Sequence, residues 1–191
     1  MLLHPTGHDV TRSVAGGGHG ALNVLLHSIA LLGQPLIVMG ALALTLQFTV
    51  QRSMAVGAFV LFTWASVAVM IASAASGFMA TSLIETAVRE QGAAREVAYN
   101  ALHYTGLLNQ TFARIFVSFS SLAILVWSTA MMREKMFSRS LAAYGSVSAC
   151  GVLAVMITGH LRFDIHGFGA VVFAQGIWFL WMAAQLASLR G

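Results

Sequence analysis

The sequence predicts an all-α integral membrane protein, a bundle of about five transmembrane helices in which the third helix is long and extends above the outer face. Only 8% of the 191 residues are charged and 58% are hydrophobic, whereas roughly a quarter of the residues of a soluble domain are charged. Such a composition does not supply a water-soluble surface. The lipid bilayer is therefore the first predicted partner of this chain.

Hydrophobic runs of about 18 residues or more predict spanning helices. Runs of this length lie at residues 21–48, 54–75, 106–132, 141–158 and 168–189. Residues 1–20 contain three consecutive glycines and are expected to form a flexible arm that also carries histidines. Residues 21–191 are expected to form a single transmembrane helical domain.

The connection between the second and third spans carries helix signals. Ser82 and Glu85 have the spacing of a capping box, which predicts that a helix begins just after Ser82. Gly92 predicts a break. Between residues 96 and 132 the only helix-breaking residue is Gly106, so one long helix is expected there.

Positive charges in short loops predict the orientation of the chain, because Lys and Arg favour the cytoplasmic side. Arg133, Lys135 and Arg139 all lie between the third and fourth spans. This pattern predicts a protein of the bacterial inner membrane with its N-terminus outside and its C-terminus in the cytoplasm. All seven histidines then fall toward the outer, periplasmic face.

The segment GHLRFDIHGFG, residues 159–169, connects the last two spans. It places His160, Arg162, Asp164 and His166 at every second position. An extended chain would gather these four side chains on one face. A helix would instead pair His160 with Asp164 and Arg162 with His166.

A polar stripe follows the predicted third helix. Its residues lie within roughly 40° of one line when each residue turns the helix by about 100°. The stripe packs against neighbouring helices, or it forms one wall of a wet cavity. A rise of about 1.5 Å per residue places Arg114 roughly 28 Å above Arg133, at the outer boundary of the hydrocarbon core. The stripe comprises Glu96, Asn100, His103, Gln110, Arg114, Ser118 and Ser121.

One hypothesis for the outer face is a metal or haem centre. His27, His160 and His166 supply imidazole nitrogens, and Asp164 supplies a ligand oxygen or orients one imidazole. His27 and His103 are the candidate cofactor-binding residues. Copper, zinc, iron or haem fits this set, and the corresponding function is that of a membrane metalloenzyme or a redox subunit.

The alternative hypotheses need no metal. Arg114, Arg162 and Gln110 form a candidate site for a lipid headgroup or a small anion, which the protein would bind or transport. An accessory subunit of a larger membrane complex, or a homo-oligomer, is the third interpretation. Nucleic-acid binding is excluded because the ten basic residues form no run, and the single cysteine excludes an intrachain disulfide.

Overall fold

The computed structural model describes residues 20–134, 137–161 and 165–188, and the regular structure within these residues is helical. Residues Ala75–Met79 form a π-helix, which we call the π segment. The all-α fold predicted from the sequence is confirmed. The α-helices are α1 (Gly20–Thr45), α2 (Arg52–Ala74), α3 (Ala80–Arg89), α4 (Ala93–Glu134), α5 (Arg139–Ile157) and α6 (Ile165–Ser188).

Five helical stretches of the described chain are long and apolar enough to cross a bilayer, which makes this a membrane protein. They are Gly20–Thr45, Arg52–Arg89, Ala93–Glu134, Arg139–Ile157 and His166–Ser188. The predicted long third span corresponds to α4, which contains 42 residues. Of the predicted N-terminal arm, residues 1–19 lie outside the described residues.

The second span differs from the prediction. Helical structure continues from Arg52 to Arg89, so Ser82 lies inside α3 and caps no helix. The capping-box prediction at Ser82 and Glu85 is therefore wrong, because the π segment carries the helix through the preceding residues. The predicted break at Gly92 is confirmed, since its φ of 60° is a left-handed conformation that glycine adopts readily.

The described chain divides into two compact units. The first unit contains residues 20–35 and Ala68–Arg114. Its small apolar cluster is built around Ala80, Ala87, Ala98 and Leu102. These residues pack because three of them are alanines, which lets the helices of this unit approach closely.

The second unit contains Leu36–Val67 and the described residues from 115 onward. Its larger core includes Trp127 and Trp178, whose rings stack at 6.0 Å with an interplanar angle of 18°. Both indoles are fully buried. Aromatic side chains of this size give the unit a dense apolar centre.

Candidate functional site

His27 of α1, a predicted cofactor and metal residue, contacts the π segment in the first unit. Its Nε2 lies 3.0 Å from the hydroxyl of Ser76, and its Nδ1 lies 2.8 Å from the carbonyl oxygen of Asn23. A carbonyl oxygen only accepts hydrogen bonds, so Nδ1 carries a proton and donates to Asn23. The hydroxyl of Ser76, which faces Nε2, also donates to the carbonyl oxygen of Ala72 at 2.8 Å. Both ring nitrogens are thus in contact with oxygen atoms of the protein.

Asn23 joins α1 to the same segment one helical turn from His27. Its amide Nδ2 donates to the carbonyl oxygen of Ser76 at 2.9 Å and to the hydroxyl of Thr81 at 3.1 Å. The carbonyl oxygen of Gly77 is a further acceptor at 3.5 Å. We call Asn23, His27, Ser76 and Thr81 the His27 cluster.

Gly77 makes this close approach of the two helices possible. A Cβ added at Gly77 would overlap the Cβ of His27 and lie 2.7 Å from its Cγ. Any larger residue would therefore push α1 away from the π segment. The contact consequently depends on a glycine at this position.

A pocket of about 780 Å³ lies in the first unit, between the segment 78–83 and α4. We call it the α3–α4 pocket. Its lining is mainly apolar, and the polar groups among the lining residues are hydroxyls. The lining residues are Phe78, Met79, Ser82, Leu83, Ala101, Tyr104, Thr105 and Leu108.

The pocket and the His27 cluster share one stretch of chain. Ser76 and Thr81 contact α1, whereas Phe78 and Met79 line the pocket. The π segment contributes to both, because its residues point to different sides of the helix. Single π-helical turns inside longer helices are frequent at functional sites.

The predicted polar stripe of α4 changes its surroundings along the helix. His103 is exposed and lies edge-on to the ring of Tyr104 at 6.0 Å. Arg114 is exposed and Gln110 is half-buried. In the second unit Ser121 is fully buried and accepts a hydrogen bond from Nε2 of Gln175 at 3.2 Å. At Ser121 the stripe is therefore a packed polar seam.

The two described histidines of the last connection lie near helix ends. The amide of His160 donates to the carbonyl oxygen of Val155, and the amide of Gly159 donates to that of Met156. With a φ of 75° at Gly159, these bonds form a Schellman motif that ends α5. His166 lies in the first turn of α6 and is exposed, as is His160.

This placement bears on the predicted metal site. Residues 159–169 are not extended throughout, because α6 begins at Ile165. Arg162 and Asp164 lie outside the described residues. Within residues 20–134, 137–161 and 165–188, no three His, Cys, Asp or Glu side chains form a group able to hold a metal ion. The full set of His27, His160, His166 and Asp164 stays a prediction.

Sequence reasoning missed three residues that organise these sites. Asn23 stands one helical turn before His27, and this spacing could have indicated that the two side chains share a helix face. Ser76 precedes Gly77, a pair of small residues typical of close helix contacts in membranes. Gln175, a lone amide in an apolar helix, donates to Ser120 at 2.9 Å as well as to Ser121.

Comparisons with protein-family models, with curated proteins and with solved structures found no match to this chain.

Proposed function

We propose that this membrane protein binds a neutral lipid, of which diacylglycerol is the simplest representative, in the α3–α4 pocket. The observation that carries the proposal is the pocket itself. Its volume of about 780 Å³ lies within the range of about 300–1,000 Å³ that is typical of small-molecule sites. Five of its lining residues are apolar, and the other three, Ser82, Tyr104 and Thr105, carry hydroxyl groups.

The absence of charge among the described lining residues favours a neutral ligand. A charged headgroup placed against an apolar wall would lose its hydration without gaining an ion pair. Hydroxyl groups, in contrast, hydrogen-bond ester and hydroxyl oxygens without a net charge. This argument favours a neutral lipid over the anion that was predicted to bind Arg114, Arg162 and Gln110.

The position of the pocket along α4 supports binding of an acyl chain. Residues 115–132 carry no charge and span about 27 Å, close to the thickness of the hydrocarbon core. Leu108 and Ala101 precede Arg114 by about 9 and 20 Å of helix. An apolar pocket wall at that level borders headgroups and water, so covering this wall with an acyl chain is favourable. With the predicted orientation, the ligand comes from the outer leaflet of a bacterial inner membrane.

The side walls of the pocket are open to the surroundings. Tyr104 is 70% exposed, and Phe78 and Met79 are 42% and 49% exposed. A lipid can therefore enter sideways, without a path through the centre of the protein. Tyrosine is also common at the membrane interface, where its ring contacts apolar groups and its hydroxyl contacts water.

Filling the pocket is expected to weaken binding. In nanodiscs, a diazirine-bearing diacylglycerol should label peptides that contain residues 78–83 and 101–108 of the native chain. Ala101→Trp places an indole in the pocket and should lower this labelling by about tenfold, equal to about 1.4 kcal/mol of binding free energy. Ala94→Trp, at an exposed position of the same helix, is the matched control and should label like the native chain.

Competition distinguishes the neutral lipid from the anion. An excess of unlabelled dioleoylglycerol should suppress labelling, whereas dioleoylphosphatidic acid should not. Labelling that resists Ala101→Trp would contradict the proposal. If phosphatidic acid competes and Arg114→Ala removes labelling, the anion hypothesis is correct instead.

The metal or haem hypothesis is tested by composition. In the described residues both nitrogens of His27 already contact protein oxygens, and His103, His160 and His166 are exposed. We expect protein purified without a histidine tag to lack a Soret band and stoichiometric copper, zinc or iron. A cofactor that disappears in the His160→Ala, His166→Ala double variant would establish the metal site and refute this expectation.

A further inference from the structure

We infer that the π segment is a two-state element that couples occupancy of the α3–α4 pocket to the contacts that α1 makes with the His27 cluster. This inference rests on the proposed lipid-binding function and concerns the regulation of that site. It begins from the backbone geometry of Ala75–Met79. The amide of Ala80 donates to the carbonyl oxygen of Ala75, five residues earlier, instead of the four residues of an α-helix.

A π-helical turn contains one residue more than the α-helical turn that would replace it. Conversion of the π segment to α-helix therefore shifts the register by one residue, which rotates the following chain by about 100° relative to α2. The residues of the segment and of early α3 then cannot keep all their present partners. Either the contacts with α1 or the lining of the pocket must change.

Contacts with α1 favour the π-helical form. The amide of Asn23 donates to the carbonyl oxygens of Ser76 and Gly77, at 2.9 and 3.5 Å. Backbone carbonyls of an interrupted helix need donors from elsewhere when they are near lipid. His27 adds the contact with the Ser76 hydroxyl, and both groups reach the segment because Gly77 has no side chain.

The pocket depends on the same register. Phe78 and Met79 belong to the π segment, and Ser82 and Leu83 follow within the next turn. Rotation of these side chains would remove one wall of the pocket. A ligand that needs this wall binds the π-helical form more tightly, so it must stabilise the contacts with α1 by the same free energy.

Two variants at the contact between α1 and the π segment test the coupling without altering a side chain of the pocket. Gly77→Ala introduces a Cβ that overlaps His27, and Asn23→Leu removes the amide donor. Each is expected to lower labelling of the pocket by the diazirine-bearing diacylglycerol by about tenfold, within the usual range of coupling between sites. Gly33→Ala is the matched control, since a Cβ there meets nothing within 4 Å.

Hydrogen exchange supplies a readout that a purely structural role would not move. In the native chain, dioleoylglycerol should slow exchange of the amides of residues 75–82 by several-fold, and in Asn23→Leu this protection should be lost.

Tryptophan emission should stay unchanged in each variant, because Trp64, Trp127, Trp178 and Trp181 all belong to the second unit. An altered emission would show that a variant disrupts the whole fold, which would contradict a local coupling.

The outcomes separate the coupling from the function. If Ala101→Trp lowers labelling about tenfold while Gly77→Ala and Asn23→Leu label like the native chain, the coupling is overturned and lipid binding stands. If the native chain is not labelled in the pocket, both proposals fall. The coupling is supported if Gly77→Ala and Asn23→Leu both lose labelling and ligand-dependent protection while Gly33→Ala keeps them.

Discussion

Replacement of Gly145 by alanine should lower the free energy of unfolding by about 3 kcal/mol, the upper end of the range for overpacking a core. A Cβ at this position of α5 would overlap Ser128 Oγ and Trp178 Nε1, and it would lie 2.7 Å from Trp178 Cδ1. Both neighbours are 0% exposed, so neither can move into a less crowded environment. Trp178 is further held by stacking on Trp127.

The matched control is Gly151→Ala on the same helix, where an added Cβ meets nothing within 4 Å. Alanine is the better helix former by about 1 kcal/mol, so this variant should be as stable as the native chain or slightly more so. Both variants can be compared by the midpoint of denaturation in detergent, followed by tryptophan emission. If Gly145→Ala and Gly151→Ala had the same midpoint, α5 would be able to move away from Trp178 without loss of stability, which would contradict the prediction.

Removal of the Glu134 carboxylate should destabilise the protein by about 1–2 kcal/mol, the usual effect of losing a helix cap. Its Oε1 accepts from the amide and the hydroxyl of Thr49, both at 2.7 Å, and from the amide of Val50 at 3.1 Å. Oε2 accepts from the amide of Gln51 at 3.2 Å. A carboxylate at the start of α2 also interacts favourably with the positive end of the helix dipole.

Glu134→Ala tests this effect, and Glu134→Gln should give a smaller loss because one oxygen still accepts. Glu90→Ala is the control, since Glu90 is exposed and follows the end of α3. Glu90→Ala should have the same midpoint of denaturation as the native chain. The cap would be energetically unimportant if Glu134→Ala and Glu90→Ala had the same midpoint.

The sequence predicted the helical segments well because bilayer thickness imposes a length on each apolar run. The break at Gly92 was also predictable, because a left-handed φ favours glycine. The capping-box prediction at Ser82 was wrong because Ser82 and Glu85 have the same spacing inside a continuous helix. The structure at Ser82 depends on the π segment, whose carbonyl oxygens accept hydrogen bonds from Asn23, more than fifty residues away in the chain.

The candidate site was predictable only in part. His27 was selected because the predicted orientation places it near the outer face with the other histidines, and the structure gives it a polar neighbour in Ser76. The neighbour itself was not predictable, because one sequence does not state which faces of two helices meet. The α3–α4 pocket was missed because its lining consists of ordinary apolar residues, which have no pattern of their own.

The contact of Glu134 with Thr49 has a consequence for how the chain is made. The two residues are 85 positions apart, and bacterial or eukaryotic ribosomes that add about 5–20 residues per second would need roughly 4–17 s to cover that separation. During this interval the amides of residues 49–51 lack the carboxylate that accepts from them in the folded protein. A hairpin of the first two spans that forms before Glu134 is made can be held only by its apolar contacts and the surrounding lipid, and the end of the third span then supplies the carboxylate.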